Sequence, residues 1–264
     1  MDREPGAREQ RLVFGEVAQS YDDVRAGYSP ALAEAVLAYA DRPARLVEVG
    51  AGTGKATAAF VGHGAPIACI EPDPAMAEVL RARFRDANPP VEVVERRFED
   101  WTPPPGGVPL LYCAQAWHWV DPARRWDLAY EALTPAGAVA LFGHQYAFVD
   151  AALEEALNEV YARVAPELLG SHLPHHVAAE EQWLHTEISA FGRFVDVTST
   201  VFHRVVPYPT QRYLALLSTF SNHRMLPVAR REELHAGIGE VVDRHGGVVA
   251  TDLETLLTMG RRPR

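Results

Sequence analysis

Apolar residues in the first 146 positions follow two rhythms. Short unbroken runs recur: Arg45–Val49 (RLVEV), Ile67–Ile70 (IACI), Val91–Val94 (VEVV), Val108–Ala114 (VPLLYCA) and Ala138–Phe142 (AVALF). Such runs, rich in Val, Ile and Leu, predict strands buried on both faces. Between them apolar positions repeat every three or four residues, the period of a helix with one buried face. Ser29 ahead of Pro30, followed by Leu32, Val36 and Leu37, predicts a capped helix. Residues 8–20, Lys55–Val61, Ala75–Arg85 and Pro122–Leu133 predict further helices. Glu71-Pro72-Asp73-Pro74 ends the second strand, and Pro135-Ala136-Gly137 stops the helix before the fifth. Strands alternating with helices predict an α/β fold, a parallel sheet with helices on both faces.

The second half is less regular. Leu153, Leu157, Val160, Tyr161 and Val164 stand at helical spacing within Asp150–Ala165. Residues 166–180 mix Pro, Gly and His and read as loop; 181–190 reads as helix. Phe194–Val206 predicts a sixth strand, Gln211–Phe220 and Arg230–Arg244 two helices, and Gly247–Met259 a last, antiparallel strand. The expectation is one domain over 1–264, with a core at 14–146. Helical insertions at 147–192 and 207–228 would form a cap at the sheet's carboxyl edge, where open α/β sheets bind ligands.

Charge and composition narrow the partners. The 264 residues carry a formal net charge of −10, which disfavours a nucleic-acid partner. No apolar run approaches the roughly 20 residues of a membrane helix. The opening MDREPGAREQR has no apolar signal core. Both cysteines, Cys69 and Cys113, lie in apolar runs and read as buried free thiols of a reducing compartment. Together these predict a cytoplasmic protein with no membrane or nucleic-acid partner, monomeric or homodimeric.

The loop after the first strand reads Glu48-Val49-Gly50-Ala51-Gly52-Thr53-Gly54-Lys55. Glycines at a strand-to-helix turn let the backbone approach a ligand closely. A phosphate-binding P-loop fails twice, at Val49 and Ala56. The dinucleotide fingerprint G-x-G-x-x-G meets Lys55 or Thr57 at its third glycine. What remains is acid-x-G-x-G-x-G with a second acid, Glu71, at the end of the next strand. A carboxylate there can accept hydrogen bonds from both hydroxyls of a ribose. A merely structural turn is the alternative.

In these segments the chain resembles the class I S-adenosylmethionine (SAM)-dependent methyltransferases of the small-molecule group. The resemblance runs from Phe14 to Tyr146, through FGEVAQSYDDVRAGYSPAL (14–32), LVEVGAGTGKAT (46–57), IEPDPAMAEVL (70–80), VEVVERRFEDW (91–101), CAQAWHWVD (113–121) and LTPAGAVALFGH (133–144). It implies a Rossmann-like fold with a mostly parallel seven-stranded sheet and an antiparallel last strand. SAM would be the cofactor and S-adenosylhomocysteine (SAH) the product. Glu48 and the backbone of Gly50, Gly52 and Thr53 would hold the methionyl part, and Glu71 the ribose. Pro72 and Met76 would flank the adenine, and Phe98 and Glu99 would read its edge. Gln115 would face the sulfonium; Tyr21 and Arg25 would close over the cofactor. Two departures stand out: Arg97, where the family often has an acid, and Ala136 in place of a turn glycine.

Methyl transfer is an in-line displacement, so positioning supplies much of the catalysis. Trp117, Trp119 and Tyr21 could offer electron-rich surfaces to a sulfonium, with core packing the alternative for the tryptophans. An oxygen or nitrogen acceptor calls for a base of near-neutral pKa, most often His. His118 and His144, read as lying just after strands four and five, are the candidates, with Tyr146 behind them. Ser221-Asn222-His223-Arg224 reads either as pocket-facing or as a solvated helix end. His172, His175 and His176 lack a neighbouring carboxylate before Glu180, and no metal is expected. The leading expectation is methyl transfer to a small-molecule acceptor. A SAM-dependent cyclase-type enzyme and a non-catalytic SAM/SAH-binding module remain as alternatives.

Overall fold

The computed structural model describes residues 24–169 and 183–264. Its elements alternate as the apolar runs require. They are α1 (Pro30–Tyr39), β1 (Leu46–Val49), α2 (Thr57–Phe60), β2 (Ile67–Ile70), α3 (Pro74–Arg83), β3 (Val91–Val94), β4 (Val108–Ala114), α4 (Arg125–Ala132) and β5 (Leu133–Phe148). Then follow α5 (Ala151–Val164), α6 (Trp183–Phe191), β6 (Val195–Pro209), α7 (Thr210–Leu217), α8 (Ser221–Met225), α9 (Val228–Arg244) and β7 (Val248–Arg261). Side chains start several helices. Ser29 accepts from the Leu32 amide, Asp73 from those of Ala75 and Met76, and Asp150 from those of Ala152 and Leu153.

The seven strands lie in the order β3-β2-β1-β4-β5-β7-β6. Strands β1 to β5 pair in parallel. The last strand is reversed. Along β5 and the residue after it, Gly137, His144 and Val149 meet Arg262, just past β7, and Thr255 and Ala250 within it, so partner numbers fall as strand numbers rise. The same holds for Ser199 and Val206 of β6 against Thr258 and Thr251. The expected antiparallel last strand is β7.

The described chain forms two compact units. One holds residues 26–144, 183–202 and 255–264; the other holds 24–25, 145–169 and 203–254. In the first, alternate strand positions feed two apolar layers. Leu46, Ile67, Leu110 and Ala140 pack with Leu32, Val36, Leu37 and Phe60 from α1 and α2. Val47, Val49, Ile70, Leu111 and Leu141 pack with Trp117, Trp126, Ile188 and Phe194. Burial on both faces is why these strands read as unbroken apolar runs. In the second unit, α9 packs against α5 and α7.

Three expectations need correction. Strand β5 runs on through Phe148, so His144 lies inside it rather than after it. The turn residues 134–137 are a bulge within the same strand: Val108 pairs with Leu133, and Leu110 already with Ala138. Residues 221–225 form a helix whose His223 is fully buried, bonded to Tyr161 and His235 at 3.2 Å each, so this is no solvated helix end. The helix expected at 8–20, Tyr21, and His172, His175 and His176 lie outside the described residues.

Candidate functional site

Strand β1 ends at Val49, and the glycine loop is tied at once to β2. The amides of Gly50 and Ala51 both donate to the Ile70 carbonyl, at 2.8 and 3.3 Å. Gly50 and Gly52 have φ of +67° and +57°, a region that side chains disfavour. Their surroundings separate their roles. A Cβ on Gly50 would sit 2.3 Å from that of Ala116, so this glycine lets the loop press against the end of β4. A Cβ on Gly52 would meet nothing within 4 Å. Gly52 therefore presents bare backbone to open space, a cradle suited to a ligand.

The two acids flanking this loop behave differently. Glu71 turns back to it: one carboxylate oxygen accepts from the Gly52 amide at 2.7 Å and the other from the Asp73 amide at 2.9 Å. A carboxylate has about four acceptor positions, so two such bonds leave capacity for hydroxyl donors. Glu48 turns inward. Its Oε2 accepts from Thr57 Oγ1 at 2.6 Å and from the Tyr112 hydroxyl at 2.8 Å, beneath the loop, and the residue is 1% exposed. Burial pushes the pKa of both acids up to about 7. Glu48 thus stands as a support under the loop through Oε2, while its Oε1 is buried without a hydrogen-bond partner. Thr57 and Tyr112, which hold it, were missed from sequence; a tyrosine inside a buried strand is the signal, since its hydroxyl needs a partner there.

The adenine-side candidates sit at the strand ends. Pro72 is exposed; Met76 and Phe98 are buried at 4% each. Glu99 accepts from Arg97 and from the Asp121 amide, both at 3.0 Å. Burial opposes its ionisation, but Arg97 and the backbone donors outweigh it and lower the pKa. The Arg97 departure thus places a cation where it holds Glu99. Thr53 is buried within the loop. Trp117 is a core residue, edge-on to Trp126 at 5.1 Å, while Trp119 is half-buried.

Beyond the loop, Ala116 leads to Gln115, itself at φ +56°. The Gln115 side-chain amide donates to the His144 carbonyl at 2.9 Å. The His144 ring stacks on Tyr28 at 4.2 Å, and its Nδ1 lies 2.8 Å from Thr255 Oγ1. Gly50, Ala116, Gln115 and His144 therefore form one continuous line of contacts. Tyr28 and Thr255 were not anticipated. His118 is exposed, but its ring leans on Trp119 at 4.5 Å; desolvation and then the Arg125 guanidinium lower its pKa. Arg25 and Tyr146 belong to the other unit. There Arg25 donates to Thr219 Oγ1 at 2.8 Å and lies over the Phe220 ring, and Tyr146 meets that ring edge-on. In the same unit His203, Asp252 and Glu254 gather at one spot, with His203 Nδ1 bonded to Asp252 at 3.0 Å.

Residues 46–137 match the family model of a methyltransferase domain. An uncharacterized methyltransferase of Mycobacterium tuberculosis is 35% identical over 134 residues, 51% of this chain and 53% of its own length. The chain thus spans about half the length of the curated relatives it matches. Among solved structures, an Anaeromyxobacter dehalogenans protein, whose type II methyltransferase designation is itself provisional, superposes with a TM-score of 0.65. It is 18% identical, over 91% of this chain and 99% of that one. Phosphoethanolamine N-methyltransferase 2 of Haemonchus contortus, in complex with phosphomonomethylethanolamine and SAH, has a TM-score of 0.55 at 11% identity, over 98% and 61%. At such identities these structures bear on the fold alone. Over residues 46–137 the chain is thus similar to a methyltransferase domain.

Proposed function

We propose that this chain binds SAM at the Gly50–Gly54 loop and transfers its methyl group to a small-molecule acceptor in the cytoplasm, releasing SAH. One observation carries the reading: Gly52 offers bare backbone to open space, with the buried Glu71 carboxylate bonded to its amide. SAM supplies a methyl on a sulfonium, an electrophile with a good leaving group. The protein's part is to bind, orient and accept a proton. Glu71 receives the ribose hydroxyls; Gly50, Gly52 and Thr53 carry the methionyl side by their backbone. Pro72, Met76, Phe98 and Glu99 bound the adenine, and Gln115 marks the sulfonium end. Glu48 acts from beneath by holding Thr57 and Tyr112. Arg25 and Tyr21 serve cofactor closure, and residues 147–192 and 207–228 acceptor choice. His144, linked to the loop through Gln115 and Ala116, is the first choice of base for a protic acceptor, and His118 the second. The net charge of −10 and the buried thiols of Cys69 and Cys113 support a small acceptor and a reducing compartment.

Calorimetric titration with SAM, SAH and NAD tests the cofactor. Micromolar binding of SAM and SAH without NAD is expected. Glu71→Ala removes two charge-assisted acceptor positions and should weaken SAH by about 2–4 kcal/mol, roughly thirtyfold or more. Unchanged affinity would sink the ribose assignment. Product mass then separates the chemistries: a methyl gained on an acceptor supports transfer, whereas SAM turnover without a methylated product would favour the cyclase-type reading.

A further inference from the structure

His144 is held more tightly than a residue lining a pocket wall needs to be. Its ring stacks nearly parallel on Tyr28, with centroids 4.2 Å apart and planes 19° apart. Tyr28 is itself fixed edge-on against Phe142 at 4.8 Å. The antiparallel pairing of β5 with β7 sets Thr255 opposite, with Oγ1 2.8 Å from Nδ1. The main chain is held too. Gln115 reaches over Gly143, where a Cβ would lie 3.2 Å from Gln115 Cγ, and donates to the His144 carbonyl. Gln115 does this from a left-handed conformation, φ +56°, which is strained for a residue other than glycine.

We propose that Thr255 and Tyr28 are positioning residues for His144, fixing its ring with the proton on Nδ1 so that Nε2 is the proton-accepting nitrogen. The inference rests on the methyl-transfer reading above and deepens it. A neutral imidazole has one N–H and one acceptor, and the bond made by one nitrogen decides the state of the other. With Thr255 Oγ1 accepting from Nδ1–H, the acceptor's X–H proton passes to Nε2. The X–H electron pair forms the new bond to the methyl carbon as the methyl–sulfur bond breaks, its electron pair leaving on the thioether sulfur of SAH, and His144 is left as imidazolium until it releases the proton to solvent. The acceptor is then a protic nucleophile, an O–H or N–H group. Stacking on Tyr28 sets the plane in which Nε2 points.

The test is the tautomer of His144 by long-range proton–nitrogen NMR on protein labelled with ¹⁵N-histidine, assigned with His144→Gln. The wild-type protein should show a pyrrole-type Nδ1 and a pyridine-type Nε2. Thr255→Val should reverse or average that pattern, and Thr255→Ser should restore it. Tyr28→Ala should abolish the ring-current shift on the His144 carbon-bound protons, and Tyr28→Phe should keep it. A wild-type ring protonated on Nε2 would overturn the Thr255 assignment without any variant, as would a Thr255→Val spectrum identical to wild type. Unmoved His144 protons in Tyr28→Ala would overturn the Tyr28 assignment. SAH titrated into the same samples reads the underlying function separately. Absent binding there would mean failure of the methyl-transfer reading, whatever the tautomer.

Discussion

Among single residues, the two raised carboxyls have the clearest energetic consequence. Glu48 and Glu71 both ionise near pH 7 in the folded chain, against 4.5 as the ordinary value. Burial is the main cause in each. A carboxyl with a raised native pKa binds protons more tightly folded than unfolded. Stability then falls as pH rises from about 4.5 to about 7 and is level above that. Glu48→Gln keeps the shape of the protonated acid and cannot ionise. It should stabilise the protein at pH 8, on the order of 2–3 kcal/mol, and have little effect at pH 5. Urea midpoints of variant and wild type at both pH values check this, because groups titrating elsewhere cancel in the difference. A Glu48→Gln effect equal at pH 5 and pH 8 would contradict a raised native pKa. The inward turn of Glu48 was not legible in the loop motif, since acid-x-G-x-G-x-G says where the acid lies along the chain and not which way it faces. Glu71 was more legible, because a carboxylate at a strand end facing a glycine loop has few other partners.

At the scale of elements, the first four strands and their helices were legible because burial on both faces leaves continuous apolar runs. Strand β5 was not legible in full. Gly143-His144-Gln145 is polar and reads as loop, yet it continues as strand because β7 supplies a ladder, with His144 opposite Thr255. Pairing partners of high sequence separation leave no local trace. The same limit hid the anchor of α6. Arg125 of α4 is 6% exposed and donates to both carboxylate oxygens of Glu187, at 2.5 and 2.7 Å, while the Trp126 indole donates to the same carboxylate at 3.1 Å. Another donor of Arg125 reaches the Trp117 carbonyl at 3.2 Å, in the turn that carries His118. Removing one partner of a buried pair leaves the other charge uncompensated, at about 3–5 kcal/mol. Glu187 is itself partly exposed, with 36% of its side chain accessible. Solvent screening therefore brings the expected cost of Glu187→Ala to about 2 kcal/mol. Thermal unfolding should show that loss, and the pKa of His118 should move in the same variant, since the Arg125 guanidinium that lowers it would lose its anchor. A Glu187→Ala protein as stable as wild type would mean that the α4–α6 contact rests on the apolar layer alone.

At the scale of the whole molecule, the chain passes three times between its two compact units inside single strands. These divisions fall within β5 at 144/145, within β6 at 202/203 and within β7 at 254/255, and another falls at 25/26, ahead of α1. All five tryptophans, at 101, 117, 119, 126 and 183, lie in the unit that also carries the glycine loop. Tryptophan fluorescence therefore reports that unit, while far-ultraviolet circular dichroism reports helices of both. A continuous strand transmits loss of its ladder along its own backbone, and here three strands do so at once. Unfolding should thus be a single cooperative transition, with both probes giving the same urea midpoint. Ligand linkage sharpens the test. At a SAH concentration of about 100 times its Kd, a ligand that binds only the native state stabilises it by roughly 2.7 kcal/mol. If the strands couple the units, that shift appears equally in fluorescence and in circular dichroism, although the candidate loop lies in one unit only. A shift confined to fluorescence, with the dichroism midpoint left behind, would show that the two units unfold separately and that residues 145–169 and 203–254 melt without regard to the cofactor loop.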